Sequence, residues 1–206
     1  MYLIQTPKLL RALAPSFAVW EKQEPSNRPA VYLTFDDGPH PTATPFALDT
    51  LAKYNAHATF FCIGKNVIEY PEIYHRILDE SHTVGNHTHN HLNGWHTDNQ
   101  TYIADIQQAA KFIDGKLFRP PYGRIKNMQA KQLREMGYSV VMWSLLSGDF
   151  DAKLSPERCL ENVIFHLKPG DIVVFHDSKK AWERMSYVLP RVLEHCRKNK
   201  WAVRGL

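Results

Sequence analysis

The chain has 206 residues, 44% of them hydrophobic and 12% aromatic, enough apolar side chain to build a substantial core in one domain and too much for a disordered chain. Its net charge of +4 is mild, and the lysines and arginines are scattered, which argues against a nucleic-acid partner. Cys62, Cys159 and Cys196 are odd in number and form no CxxC pair, so they suggest neither a disulfide framework nor a thiolate metal site and read as reduced core or surface residues.

Residues 1–29 read as an N-terminal arm and linker. The first twenty are apolar, but Arg11 and Pro15 interrupt the run and no small-residue cleavage site follows. The stretch is therefore neither a clear signal peptide nor a transmembrane segment. A cytoplasmic chain is expected on that ground, with cell-envelope association as the alternative. Thr6-Pro7 has the pattern of an N-cap with proline at the first helical position. A short amphipathic helix is expected there, packed on the domain rather than anchored at a membrane surface. Residues 21–29 form a polar loop into the domain proper, residues 30–206.

Short apolar runs then alternate with longer amphipathic ones. Strands are expected at Val31–Phe35, Ala58–Cys62, His82–Gly85, Leu117–Arg119, Ser139–Trp143, Ile172–Phe175 and, weakly, Trp201–Val203. Helices are expected at Pro45–Tyr54, Glu72–Glu80, Thr101–Asp114, Asn127–Met136, Pro156–His166 and Met185–Lys198. The third has the plainest helical period, with Ile103, Ile106, Ala110 and Ile113 on one face. Gly115 and Gly137 have the position of C-terminal stops, and the basic run Arg197-Lys198-Asn199-Lys200 suits a helix C-terminus. Seven βα units imply an α/β fold with a mostly parallel sheet. The alternation fits an open doubly wound sheet and a closed barrel equally.

The polar clusters fall at strand ends. Asp36 and Asp37 follow the first strand, Gly85–His91 (GNHTHNH) the third, Arg119–Gly123 (RPPYG) the fourth, Ser147–Asp151 (SGDFD) the fifth and His176-Asp177 the sixth. In parallel α/β folds the loops after strand C-termini converge on one face, where sites are built. His87 and His91 would share a side if their segment made a helical turn, whereas an extended segment would pair His87 with His89 or place all three together. Two histidines and a carboxylate suit a catalytic divalent metal. Of two adjacent aspartates, one can ligate such a cation while the other serves as a base toward water. A turn-forming Asp-Gly-Pro accounts for only one of them. His176 is either a core histidine or a general acid for a leaving group. Arg119, always charged, is expected to pair with a site carboxylate, and the backbone N–H of Tyr122 could face a developing oxyanion.

With these residues in view, the stretch from Val31 to the C-terminus resembles the polysaccharide deacetylases, the carbohydrate esterase family 4 enzymes with a NodB homology domain. Thr34–Pro39 (TFDDGP), His87–His91 (HTHNH), Arg119–Gly123 (RPPYG) and Pro169–Asp177 (PGDIVVFHD) look like four of its motifs in order. The resemblance implies a distorted (β/α)7 barrel and one divalent metal, zinc foremost with cobalt or nickel as substitutes, held by Asp37, His87 and His91. It implies Asp36 as general base oriented by Arg119, and His176 as general acid polarised by Asp149. Pro121, Tyr122 and Phe150 would contact a carbohydrate substrate. The remaining motif departs from the family's D-x-x-D-W, because Leu146 stands in place of the first Asp and Phe150 in place of the Trp. The reaction implied is removal of N-acetyl groups from N-acetylglucosamine units in peptidoglycan- or chitin-like chains. Its competitors are an O-acetyl esterase on xylan-like polymers and a binding module that has lost turnover. A phosphatase fits less well, since no lysine accompanies the FDDG stretch.

Overall fold

The computed structural model describes residues 2–7, 9, 11, 18–22 and 29–206. Its strands are β1 (Ala30–Asp36), β2 (Thr59–Cys62), β3 (Thr83–Asn86), β4 (Leu117–Phe118), β5 (Ser139–Val140), β6 (Leu145–Leu146), β7 (Ile172–His176) and β8 (Ala202–Arg204). Its helices among the described residues are α1 (Ala43–Lys53), α2 (Gly64–Glu69), α3 (Pro71–Asp79), α4 (Asn99–Ala109), α5 (Asn127–Glu135), α6 (Pro156–Ile164) and α7 (Trp182–Lys198).

All seven residues of β1 are buried, which is why its sequence is a nearly continuous apolar run rather than an alternation. A central parallel strand is covered by packing on both faces. β1 sits between β2 and β7 in the order β5-β4-β3-β2-β1-β7-β6. Tyr32 pairs with Ile172 of β7 and with Arg204 of β8, so β8 lies along the edge of β1 that β2 takes over from Thr34 onward. Every strand pair is parallel, and the sheet curls into the distorted (β/α)7 barrel expected from the resemblance. The largest core cluster joins Leu33 and Phe35 of β1 and Phe175 of β7 to α1, α6 and α7, including Leu48, Val163 and Leu189.

The differences from expectation are local. Ser139–Trp143 does not run on as one strand. Ser144 turns inward, giving a hydrogen bond to Asp171 Oδ1 at 2.7 Å and accepting one from the Ile172 amide at 3.0 Å. The chain re-enters the sheet as β6, an eighth strand too short for periodicity to register. α2 was likewise unanticipated, and α4 ends at Ala109 rather than running to Asp114. Its start is set by Asp98, whose side chain accepts from the Thr101 amide at 2.9 Å. Gly115 (φ 88°) and Gly137 (φ 83°) take the left-handed backbone expected of stops.

The arm closes the sheet. No β5–β6 pairing joins the two ends of the strand order. Val19 bridges to Val141 and Gln5 to Leu145, with hydrogen bonds from the Met142 amide to Val19 O (2.7 Å), the Leu146 amide to Ile4 O (2.8 Å) and the Thr6 amide to Ser144 O (3.0 Å). Leu9 and Arg11 are helical. The remainder of the expected short helix, and most of the linker at residues 23–28, lie outside the described residues. Among the described residues no helix is long and apolar enough to cross a membrane.

Away from the strand C-termini, His82 is buried with its side chain 2% exposed. Its Nδ1 accepts the Ala58 amide at 3.2 Å. Burial, reinforced by His57 and Arg76, pushes its pKa down to about 4. The unfolded chain takes up this proton near pH 6.5, while the folded chain resists until near pH 4. Stability therefore falls as pH drops through that window, by up to roughly 3 kcal/mol from this residue. Urea unfolding across pH 7 to 4 should give a shallower slope for His82→Asn, whose Oδ1 can replace Nδ1, than for the parent.

Candidate active site

Five strand ends deliver the side chains. β1 delivers Asp36, 4% exposed. The next residue, Asp37, adopts φ 83°, a left-handed turn that breaks the strand alternation which would send neighbouring side chains to opposite faces. The Gly38–Pro39 peptide that follows is cis. Gly38 sits so close to the Asp177 carboxylate that a Cβ there would overlap it. That carboxylate accepts the Gly38 amide at 3.0 Å and the Thr44 hydroxyl at 2.5 Å, and burial pushes its pKa up to about 8. Asn66 Nδ2 holds the Asp37 carbonyl at 2.7 Å. The turn is thus clamped from two sides.

Asp36 Oδ1 accepts from Arg119 Nη1 at 2.8 Å, with side-chain exposures of 5% and 0%. Arg119 also gives hydrogen bonds to Thr34 Oγ1 (2.6 Å), Met142 O (2.9 Å) and Val141 O (3.3 Å). Its guanidinium lies 4.2 Å from the centre of the Phe61 ring. Burial lowers the Arg119 pKa against the raising influence of Asp36, leaving it charged.

The Gly85–His91 segment makes neither the helical turn nor the extended run. Thr88 (φ 67°) and His91 (φ 57°) are both left-handed and coil it. The coil is held by the Thr88 amide on Asn86 Oδ1 (2.8 Å) and by the His89 and Asn90 amides on Asp105 Oδ2 (2.7 and 3.0 Å). It turns the His89 ring toward Phe112, with centroids 6.4 Å apart, and leaves His87 and His91 together at 5.1 Å. His91 Nε2 stands 3.2 Å and His87 Nε2 3.8 Å from Asp37 Oδ1. One ligating atom from each of Asp37, His87 and His91 lies within 4.8 Å of the others.

This set fits a divalent cation. His87 Nδ1 donates to Arg119 O at 2.7 Å, which leaves Nε2 as a lone pair aimed at Asp37, the second-sphere arrangement usual for metal-bound imidazole. Burial pushes the His87 pKa down to about 4, so its lone pair is free at neutral pH. Burial would raise the Asp37 carboxyl, but the hydrogen bond from His91 and the nearby charge of His176 hold it well below the usual range. Two imidazole nitrogens and one carboxylate oxygen are a donor set that suits a divalent transition-metal ion.

His176 ends β7, opposite Asp36 in the β1–β7 register. Its Nδ1 donates to Asp149 Oδ1 at 2.8 Å, and its amide donates to Asp149 Oδ2 at the same distance. Burial would lower the His176 pKa, yet the Asp149 charge and hydrogen bond, with Asp37 and Asp36 behind them, push it up to about 9. Arg184 Nε fixes the Asp149 carbonyl at 2.7 Å. Asp177, the other acid near His176 in sequence, is engaged by Gly38 and Thr44 instead.

These groups border a cavity of about 410 Å³, within the usual range for a ligand pocket. Its apolar wall includes Trp143, Leu146 and Val174. Leu146, buried in β6 and paired with Val174, lies among apolar neighbours. Phe150 stands edge-on to His176 at 5.2 Å. Tyr122, left-handed at φ 59° and 63% exposed, meets His91 edge-on at 4.7 Å. Pro120 lines the cavity, whereas Pro121, expected there, is buried beneath the turn. Sequence reasoning missed Thr34 and Tyr2 at this site. Thr34 carries a readable signal, a hydroxyl inside an otherwise apolar strand two residues before Asp36.

Residues 23–141 match the profile of the family described as polysaccharide deacetylase. A peptidoglycan-N-acetylglucosamine deacetylase of Bacillus cereus is 36% identical over 197 residues, covering 92% of each chain. A chitooligosaccharide deacetylase of Azorhizobium caulinodans is 34% identical over 160 residues, covering 73% of this chain and 75% of its own. Among solved structures, a peptidoglycan N-acetylglucosamine deacetylase in complex with 4-naphthalen-1-yl-N-oxidanyl-benzamide superposes with a TM-score of 0.82 at 29% identity, over 92% of this chain and 90% of that one. The peptidoglycan deacetylase PdaC of Bacillus subtilis gives a TM-score of 0.80 at 26% identity, over 87% and 89%.

Removing one partner of a buried ion pair leaves an uncompensated charge, at a cost of about 3–5 kcal/mol. Arg119→Met should lose stability on that scale in urea unfolding. Arg119→Met combined with Asp36→Leu should recover part of the loss, since no buried charge is then left alone.

Proposed function

The chain belongs to the polysaccharide deacetylase family, and on that premise we propose that it is a metal-dependent hydrolase removing acetyl groups from N-acetylglucosamine units of peptidoglycan- or chitin-like chains. The observation that carries this reading is two ion pairs, Asp36–Arg119 and His176–Asp149, whose Asp36 and His176 line the same cavity as the Asp37–His87–His91 cluster. Holding a cation or a sugar needs neither pair, whereas hydrolysing an amide needs both a base and an acid.

In this reading Asp37, His87 and His91 hold the cation, zinc first, with cobalt or nickel able to replace it. When bound, the cation supplies Lewis-acid polarisation of an acyl oxygen and lowers the pKa of water. Asp36 accepts the proton of the water that attacks the acetamide carbonyl. Arg119 holds its carboxylate by a hydrogen bond at the edge of the cavity. The Tyr122 amide donates to the oxygen on which negative charge develops. His176, protonated at neutral pH, gives its Nε2 proton to the amide nitrogen as the C–N bond breaks. Acetate and a free amine leave. Asp149 holds the Nδ1 proton in place and stabilises the imidazolium, which sets the tautomer for the transfer. The Trp143–Leu146–Val174 wall suits an acetyl methyl group. A carboxylate at position 146 would have to be desolvated there without a partner.

The test is acetate release from peptidoglycan, N-acetylated chitooligosaccharides and acetylxylan, with and without a chelator. Acetate from either of the first two, lost on chelation and restored by zinc, is expected. Release from acetylxylan alone replaces the reading with an O-acetyl esterase, and release from none leaves a binding module. Asp36→Asn should keep the metal content of the parent while losing about 10²–10⁴-fold in turnover. For Asp149→Asn the sign follows from the His176 environment. The interactions that raise its pKa to about 9 are led by Asp149, while burial acts in the opposite sense. Without the Asp149 charge the acidic form is lost at lower pH, so the alkaline limb of the pH–rate profile should move toward acid. A limb unmoved in that variant would remove Asp149 from the mechanism.

A further inference from the structure

The N-terminal arm reaches the catalytic cavity. Its register is set by backbone pairing, with Gln5 bridging Leu145, the Leu146 amide on Ile4 O at 2.8 Å and the Thr6 amide on Ser144 O at 3.0 Å. Arg11 braces the far end, giving hydrogen bonds to Thr6 O at 2.9 Å and Glu21 Oε2 at 2.7 Å. With β6 paired in this register, Tyr2 is delivered to the cavity rim, where it is 37% exposed and forms part of the wall. Its ring lies 4.9 Å from that of Phe150, and its hydroxyl donates to Asp151 Oδ2 at 2.8 Å. The ring is therefore held in one orientation rather than swinging in solvent.

The direction of this wall matters. In the reaction proposed above, His176 delivers a proton to the amide nitrogen, and that nitrogen is borne by the sugar. The pyranose therefore lies toward His176, and the acetyl methyl toward the apolar wall. Phe150 stands against His176, and Tyr2 stands beyond Phe150. A glycan leaving the reacting unit on that side meets the Tyr2 ring next. A rigid aromatic ring fixed by a hydrogen bond gives contact area at low conformational cost, and the C–H face of a pyranose is the apolar surface it suits.

We propose that Tyr2 contacts the N-acetylated pyranose next to the one being deacetylated, and so makes the enzyme select oligosaccharides over shorter substrates; this rests on the deacetylase reading. The arm, on this account, belongs to the substrate site as well as to the sheet.

The experiment compares kcat/KM for acetate release from N-acetylated chitotetraose and chitobiose by the zinc-loaded full chain, its Tyr2→Ala variant and its Tyr2→Phe variant. For Tyr2→Ala the tetramer-to-dimer ratio should fall by about two- to twelvefold, the span that one aromatic contact of about 0.5–1.5 kcal/mol covers. The change should appear as a higher KM for the tetramer. Tyr2→Phe keeps the ring and loses the Asp151 bond, so it should retain most of the parent's ratio. An unchanged ratio in Tyr2→Ala overturns the proposal. So does an equal fall for both lengths, which would mean that Tyr2 only supports the fold. A ratio lost as fully in Tyr2→Phe as in Tyr2→Ala also overturns it, by assigning the effect to the hydroxyl. Should the parent release acetate from neither oligomer nor from peptidoglycan, the deacetylase reading fails first and this inference with it.

Discussion

A guanidinium taken out of water must find acceptors for its N–H groups and a counter-charge, or the fold bears several kcal/mol for it. Arg119 finds them in Asp36 and Thr34 on β1 and in two carbonyls of the chain leaving β5. Its own carbonyl accepts a hydrogen bond from His87 Nδ1. One residue therefore ties together three separate stretches of chain, orients the carboxylate that would act as base and sets the tautomer of a would-be metal ligand. Disturbing it reaches the base and the cation site at once. The β1–β7 register complements this, because pairing Asp36 with His176 puts the two groups that would move protons at the same height on one rim.

The rest of the site is held against local backbone preference. Among the described residues, seven non-glycine residues have positive φ, and Asp37, Thr88, His91 and Tyr122 are four of them. Such conformations persist where surrounding bonds over-determine them, and they concentrate at functional sites. Here those bonds are visible. Asp177 and Asn66 hold the Asp37 turn, and Asn86 and Asp105 hold the histidine coil. Their common effect is to aim side chains that regular strand or helix geometry would send apart.

The curled sheet has a seam between β5 and β6, and backbone amides and carbonyls at a seam need partners. The arm supplies them through Val19, Ile4 and Thr6. Closing the sheet in this way carries Tyr2 to the rim of the cavity, so a structural need and the proposed recognition element share one segment.

Much of this was legible in the sequence. The alternating apolar and amphipathic runs gave β1, β2, β7 and most helices because burial imposes a period on each kind of element. Five polar clusters at strand ends located the site, since parallel strands send all such ends to one face. The motif order supplied the family. Other features depended on contacts between residues far apart in the chain. β6 exists because Ser144 meets Asp171 and because the arm arrives, and two residues cannot show a period. The exclusion of His89 in favour of His91 follows from a coil with two left-handed residues, held by bonds from distant parts of the chain such as Asp105 and the Gly64 amide. Pro120 rather than Pro121 faces the cavity because of the backbone turn at Tyr122. The sequence by itself determined which residue types stand at the strand ends, and hence the chemistry within reach, because those are covalent facts of order and polarity. The tertiary structure alone decided which of them touch, how their protons are placed and that Tyr2 joins them, because each of these depends on burial and on hydrogen bonds across as many as 149 residues of chain.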